Sequence, residues 1–105
     1  MKIQVNTDKN IEGNEELVAE VEATVADSLS HFSAHITRVE VHLSDESGDK
    51  NGQNDKRCMM EARLEGRQPT AATCEAATLA QAVAGAADKL KSSLESTLGR
   101  LSVHR

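Results

Sequence analysis

The sequence is poor in aromatic residues, and this scarcity argues against one common way of binding nucleic acid. Its 105 residues include one Phe and no Tyr or Trp, although 38% of them are hydrophobic. Proteins that bind single-stranded nucleic acid usually stack the bases on aromatic side chains. We therefore expect no such stacking surface. The core should be built from Leu, Val, Ile, Met and Ala, which suits close packing of helices on a sheet.

Other absences narrow the class of protein further. Two cysteines are too few for a disulfide scaffold, and neither they nor the four histidines show the spacing of a metal site. No apolar run is long enough for a signal peptide or a membrane span, so we expect a soluble cytoplasmic protein without a membrane partner. The sequence contains no glycine-rich phosphate loop and no motif that would activate a Ser or Cys nucleophile. We therefore predict no enzyme, no cofactor, no metal and no small-molecule substrate.

Positive charge is also scarce, and it is unevenly distributed. The formal net charge is −5, and residues 10–37 contain no Lys or Arg. The same stretch carries six carboxylates: Glu12, Glu15, Glu16, Glu20, Glu22 and Asp27. A chain with this balance is not expected to adhere broadly to nucleic acid or to an anionic membrane.

The spacing of apolar residues predicts four strands. Apolar and polar residues alternate in residues 2–7, 37–43 and 57–64, which is typical of half-buried strands. A fourth strand is expected at about residues 68–76, with Pro69 near its start and at an edge of the sheet, where a missing N–H is tolerated.

Two helices are predicted from apolar residues that recur at helical spacing. The first begins after Asn14, a good N-cap, and its stripe runs from Leu17 to Phe32 at intervals of four and three. The second begins at a capping box in residues 78–81 and continues as a long leucine-rich stripe. Gly85 is expected to mark a close approach between the two helices.

The order of these elements predicts an α+β fold. A β-α-β-β-β-α chain is expected to form a four-stranded mixed sheet with two helices packed on one face, because every element then buries its apolar side. The first two strands should be parallel, and the later pairs antiparallel. The length predicts a single domain, residues 1–105. The polar, glycine-containing residues 44–55 are predicted to form an exposed, mobile loop.

Two stretches of the sequence carry a family pattern. "LSHFSAHITRVEVHL", residues 29–43, combines a leucine, an aromatic residue, Ile and alternating Val, and "QAVAGAADKLKSSLESTLGRL", residues 81–101, contains Lys89, Leu94 and Arg100. Together with the order of elements, they resemble the hibernation-promoting factor and ribosome-associated inhibitor family of bacteria. The resemblance implies a short, single-domain factor that occupies the tRNA and mRNA region of the small ribosomal subunit. Such a factor inhibits translation during stress or stationary phase, mostly through contacts to rRNA phosphates.

The resemblance and the placement of basic residues together nominate an RNA-binding surface. Its candidate residues are Lys89, Arg100, His35, Arg38, Arg57 and Arg63. The first two carry over from the family pattern, and the third stands where the family commonly has a basic residue. The three arginines at positions 38, 57 and 63 are added because they lie on the predicted polar face of the sheet.

A different interpretation of the charges stays open. In this interpretation the chain is a stress-related protein–protein adaptor that kept the fold and lost the RNA surface. Its acidic first helix would then contact a basic protein. The arginines also fit simple cross-strand pairs, Arg38 with Glu40 and Arg63 with Glu61, worth about a few tenths of a kcal/mol each.

The two cysteines allow two interpretations. Cys58 and Cys74 are equidistant from Gly66, so a hairpin centred on that glycine would set them opposite each other. Such a pair is either a redox-active disulfide or two small buried thiols of a reduced core.

Overall fold

The computed structural model confirms the predicted α+β fold. It describes residues 1–9, 11, 13–45 and 55–103, with the backbone alone for 99–103. The elements in chain order are β1 (Lys2–Thr7), α1 (Glu15–Ser28), a 3₁₀ turn (Ser30–Phe32), β2 (Ile36–Asp45), β3 (Lys56–Leu64), β4 (Thr70–Ala76) and α2 (Leu79–Val103). The loop predicted at residues 44–55 has its central part, residues 46–54, outside the described residues.

The sheet has the mixed topology that the order of elements predicts. Its strands lie in the order β1-β2-β3-β4, with β1 parallel to β2 and the two later pairs antiparallel. β1 and β4 are therefore the edge strands. A register irregularity between Ile36 and Arg38 accompanies the start of β2.

Both helices begin at the caps that the sequence predicts. The Asn14 side chain accepts a hydrogen bond of 2.8 Å from the Leu17 N–H, and Glu15 and Glu16 occupy the first turn of α1. The Thr78 hydroxyl oxygen accepts one of 3.1 Å from the Gln81 N–H at the start of α2. These bonds satisfy N–H groups that a helix leaves unpaired at its first turn.

The first helix ends earlier than its apolar stripe predicts. α1 stops at Ser28, and the chain continues through Leu29 into the 3₁₀ turn, where the Phe32 N–H donates to the Leu29 carbonyl over 3.0 Å. Leu29 is fully buried and Phe32 packs against the core, so both residues keep their apolar contacts without an unbroken α-helix. The tighter turn lets the chain enter β2 within a few residues.

The core fills the space between the sheet and the helices. Its largest fully buried side chains come from β2, β3, both helices and the residue that follows α1: Leu29, Leu43, Met60, Leu90, Leu94, Val25, Val39, Val41 and Cys58. None of the buried residues in the described part of the chain is polar or charged. Polar residues therefore collect on the other face of the sheet, where no helix covers them.

Two glycines have conformational or packing roles in the later half of the fold. Gly66 adopts φ +73° in the β3–β4 turn, a conformation that favours glycine. A Cβ at Gly85 would overlap the Cys74 Sγ on β4. The predicted approach of Gly85 to the first helix is therefore wrong, because the close neighbour is the strand beneath α2. Pro69 precedes β4 and lies outside the strand.

Candidate nucleic-acid interface

The outer face of the sheet, away from the helices, brings charged side chains into rows across the strands. Side chains alternate between the two faces of a strand, so paired residues on neighbouring strands share a row. Arg38 on β2 lies opposite Lys2 on β1 and opposite Arg63 on β3. We name this line of three residues the cation row. Lys2 and Arg63 are exposed, and Arg38 is half-buried.

The next row on the outer face carries carboxylates. Glu40 on β2 lies opposite Glu61 on β3 and opposite the neutral Gln4 on β1. The cross-strand neighbours are therefore like charges, which destabilise a sheet unless other groups offset them. The groups that offset this repulsion lie on the same strands as the glutamates, in the ion pairs described next.

Each glutamate of this row pairs with the arginine two residues away on its own strand. The Arg38 Nε lies 3.1 Å from a Glu40 oxygen, in an ion pair that lacks hydrogen-bond geometry, and the Arg63 guanidinium lies 3.5 Å from Glu61. Arg38 also donates a hydrogen bond to the Gln4 amide oxygen. The two ion pairs considered in the sequence analysis therefore form, but each lies along a single strand and not across the sheet. The arginines meet like charges across the sheet and opposite charges along it.

Two of the other candidate residues lie on or near the same face. His35 is exposed in the turn before β2, and its carbonyl accepts a hydrogen bond of 3.1 Å from the Glu65 N–H in the β3–β4 turn. This bond places His35 at the end of the sheet where the cation row lies. Arg57 lies three rows away, exposed on β3 opposite Ser44 and Glu75.

Lys89 lies at a sheet edge, apart from the cation row. Its Nζ donates a hydrogen bond of 3.0 Å to the Thr73 carbonyl on edge strand β4. The ammonium group thus covers a backbone acceptor that an edge strand would otherwise leave open. A structural role is therefore visible for Lys89, and its contact with RNA stays a prediction.

Arg100 lies in the last part of α2. The helix runs back along β4, because Gly85 meets Cys74 and Lys89 reaches Thr73, one residue earlier in the strand. This direction carries the end of α2 towards the end of the sheet where the cation row lies. The Arg100 side chain is outside the described residues.

Sequence reasoning missed two cations at this end of the molecule. Lys2 completes the cation row through its pairing with Arg38, and Arg67 stands in the β3–β4 turn, where its N–H donates to the Leu64 carbonyl over 3.4 Å. The signal for Lys2 was its place on the outer face of β1. β1 and β2 are joined through a whole helix, so their register cannot be counted from the sequence. The residues that lie beside Lys2 were therefore not predictable.

Helix α1 has the opposite electrostatic character. It exposes five carboxylates and contains no Lys or Arg: Glu15, Glu16, Glu20, Glu22 and Asp27. The outer sheet face carries four cations and three carboxylates, so its formal charge is positive whereas that of α1 is negative. These residues are Lys2, Arg38, Arg57 and Arg63 with Glu40, Glu61 and Glu75. Phosphates approaching α1 would be repelled, whereas those approaching the cation row would be attracted.

The two cysteines occupy the positions that the hairpin symmetry predicts. Cys58 and Cys74 are directly paired across β3 and β4, and both are free thiols. Burial raises the pKa of Cys58 to about 12, and the neighbouring Cys74 adds to the shift. A thiol with so high a pKa is almost entirely protonated at neutral pH, so Cys58 is a poor nucleophile. These features favour the interpretation as core thiols.

The described residues show neither a metal-binding cluster nor a membrane-spanning helix. They contain no cluster of three or more His, Cys, Asp or Glu side chains arranged to bind a metal. None of the helices within them combines the length and apolar character that a membrane span requires.

Two solved structures share this fold. The N-terminal domain of protein Y from Thermus thermophilus matches with a TM-score of 0.74 and 22% identity, covering 92% of this chain and 99% of that domain. A ribosomal subunit interface protein from Coxiella burnetii matches with a TM-score of 0.72 and 16% identity, over 94% of this chain and 99% of the other. At these identities the likeness shows the fold alone. A search of curated proteins found none that matches the chain.

A protein-family model shows to which family the chain belongs. Residues 4–102 match the model described as sigma 54 modulation protein / S30EA ribosomal protein, which is nearly the whole length of the chain. The family resemblance inferred from residues 29–43 and 81–101 is thereby confirmed. The chain belongs to the sigma 54 modulation protein / S30EA ribosomal protein family.

Proposed function

We propose that this chain is a ribosome-associated factor that binds rRNA of the small subunit and inhibits translation under stress. Membership of a family described as S30EA ribosomal protein supports the ribosome as its target. The cation row is the observation that supports rRNA as the contact, because it concentrates positive charge on a chain that is otherwise acidic.

The cation row has a suitable size for the phosphate backbone. Neighbouring strands lie about 4.8 Å apart, so its three Cα positions span roughly 10 Å. Lys and Arg side chains are long enough to reach different phosphates from such a line. Contacts of this kind position a protein on structured RNA by its shape and charge, with little reading of bases. The scarcity of aromatic residues agrees with a contact of this type.

The charges also favour one orientation on the ribosome. If the cation row faces rRNA, α1 lies on the opposite side of the sheet, where its carboxylates avoid the phosphates. Glu40 and Glu61 then remain beside the contact and limit its strength, because they compete with phosphates for Arg38 and Arg63. This arrangement predicts a contact of moderate affinity that weakens steeply with salt.

Sedimentation of ribosomes across a salt series tests the proposal. The purified protein is mixed with separated small and large subunits, and its distribution in gradients is measured from about 50 to 200 mM salt. Cosedimentation with small subunits at low salt and release at higher salt is expected. Translation of a reporter in a reconstituted system should fall in parallel. A protein that stays at the top of the gradient at every salt concentration refutes the proposal.

The acidity of α1 favours a second candidate function, that of a protein–protein adaptor. Five exposed carboxylates without a compensating Lys or Arg form a surface suited to a basic protein. The discriminating experiment is recovery of partners from nuclease-treated lysate. Retention of one protein partner after complete RNA digestion supports the adaptor, whereas loss of all partners with the RNA contradicts it.

A further inference from the structure

An apolar groove separates the first half of α1 from the start of α2. Its volume is about 450 Å³, which lies within the range of ligand-binding pockets. Six of its eight lining residues are apolar, and the other two are Glu20 and Thr24. The apolar six are Leu17, Val21, Ala23, Leu79, Ala80 and Val83. Val21 and Val83 are almost fully buried at its base, while Ala23 and Ala80 are exposed at its mouth.

The groove continues into a second hollow of about 380 Å³. The two share Leu17, Glu20 and Leu79, and the second extends to Ile11 and Lys56. Together they form a continuous channel across the end of the helix layer. An open apolar groove of this kind can accept the apolar side of a helical segment.

The rim of this channel is acidic. Glu20 lines both hollows, and Glu16 lines the second. Lys56 is the lining cation among the described residues, but it lies 3.1 Å from Asp55 and 3.4 Å from Asp45. The hydrogen bond to Asp55, with a further one to Asp45, raises the pKa of Lys56, so these carboxylates already compensate its charge.

We propose that this channel binds an amphipathic helix of a protein partner, with apolar anchors for the groove and Lys or Arg on its flanks. Helix-in-groove recognition inserts apolar residues at i, i+3, i+4 and i+7 into an apolar groove, and the groove between α1 and α2 has such an apolar lining. The negative charge of the rim determines which kind of molecule can bind in the channel. Nucleic acid and anionic lipid would meet Glu16 and Glu20 with like charge, and a second copy of the chain would bring the same glutamates together.

The channel lies far from the cation row, so both surfaces are free to act at once. Leu79, Asp45 and Lys56 place the channel at the opposite end of the sheet and on the helix side. The inference rests on the protein-binding candidate function and gives it a surface and a partner chemistry. It leaves the rRNA contact unchanged.

A labelled peptide tests this inference directly. The probe is a helical peptide of about 16 residues with leucines at the four anchor positions and lysines elsewhere on its exposed faces, measured by fluorescence anisotropy. A matched peptide has glutamate in place of every lysine. The protein is expected to bind the lysine peptide and not the glutamate peptide. No binding of the lysine peptide, or equal binding of both, overturns the inference.

Three variants locate the binding site. Glu20→Lys reverses a charge on the rim, and Glu22→Lys makes the same change on the same helix at a residue that lines neither hollow. Glu20→Lys should weaken binding by roughly tenfold and Glu22→Lys by less than about threefold. Ala80→Gln puts a longer polar side chain at the mouth and should also reduce binding. Equal effects of the two lysine variants would assign binding to bulk charge and overturn the inference.

Two parallel measurements separate this inference from other outcomes. Analytical ultracentrifugation of the unlabelled protein should show no dimer; a dimer that Ala80→Gln dissolves would identify a second copy as the occupant and overturn the inference. Glu20→Lys and Ala80→Gln should cosediment with small subunits as the unmodified protein does. If the protein cosediments with small subunits but does not bind the lysine peptide, the peptide-binding role of the channel is refuted and the ribosome contact stands. If the unmodified protein does not cosediment with small subunits, the proposed ribosome contact is contradicted.

Discussion

Replacing two arginines of the cation row is the sharpest perturbation that the structure offers. The double variant Arg38→Gln, Arg63→Gln removes two adjacent positive charges and leaves shorter, uncharged polar side chains on β2 and β3. Both positions lie on the outer face, and losing their ion pairs with Glu40 and Glu61 should lower the free energy of unfolding by only about 0.2–1 kcal/mol each. The fold should therefore persist, and an altered ribosome affinity would report on the contact itself.

The expected magnitude follows from counterion release. Each phosphate contact contributes between about 0.7 and 0.9 to the slope of log affinity against log salt. With Lys2, Arg38 and Arg63 all engaged, raising salt from 50 to 200 mM should lower affinity by roughly 40-fold at the larger coefficient. With Lys2 alone, the same step should lower it by roughly 3.5-fold. The double variant should thus flatten the slope by about 1.4 to 1.8.

The assay is equilibrium binding of labelled protein to purified small subunits at four or five salt concentrations. Lys9→Gln is the matched control, because Lys9 is exposed at the other end of β1 and outside the cation row. The control should leave the slope of the unmodified protein unchanged. An unchanged slope in the double variant, or an equal change in Lys9→Gln, would refute the assignment of the cation row to phosphate binding.

Three further predictions concern other residues. Glu61→Gln removes the carboxylate 3.5 Å from Arg63 and should tighten small-subunit binding about two- to fivefold; an unchanged or weaker affinity contradicts this. Gly85→Ala should lower the free energy of unfolding by about 1–3 kcal/mol in chemical denaturation, because the new Cβ overlaps Cys74 Sγ. Adding Cys74→Ala should recover most of that loss, and an equal loss in both backgrounds would contradict the packing argument. The third prediction concerns pH. The folded-state pKa of Cys58 is raised to about 12, so the unfolded chain releases its proton first as pH rises above about 9. The protein should lose about 1.4 kcal/mol of stability by pH 10 relative to Cys58→Ala, and parallel stability curves would contradict this.

The sequence predicted the elements of this fold well, because each element depends on local periodicity. Alternating residues located the strands, and Asn14 and Thr78 marked the helix starts through their hydrogen bonds to nearby N–H groups. The end of α1 was less predictable. Leu29 and Phe32 hold their places in the core through a 3₁₀ turn, and an apolar stripe alone does not distinguish that turn from a longer helix.

Register was predictable only where the connection is tight. The short turn at Gly66 makes the pairing of Cys58 with Cys74 a matter of counting, and this pairing is confirmed. β1 and β2 are joined through a helix, and β2 and β3 through a long polar connection, so neither register can be counted from the sequence. The alignment of Arg38 with Arg63 therefore came only from the structure.

Long-range contacts of single side chains were equally inaccessible. From the sequence, Gly85 is interpreted as a glycine that packs against the other helix. The structure places α2 over β4, where the neighbour of Gly85 is Cys74. Lys89 reads as a solvent-facing charge until its hydrogen bond to Thr73 is seen. The channel between the helices depends on the tilt and spacing of two distant segments, and no local pattern encodes these.

The most direct test of the central claim is density for a reconstituted complex with the small ribosomal subunit. Cryo-electron microscopy should show the outer face of the sheet against rRNA, with Lys2, Arg38 and Arg63 beside phosphates. Helix α1 should face away from the RNA. Density that places the carboxylates of α1 against rRNA, or a small subunit without bound protein under saturating low-salt conditions, would contradict the account.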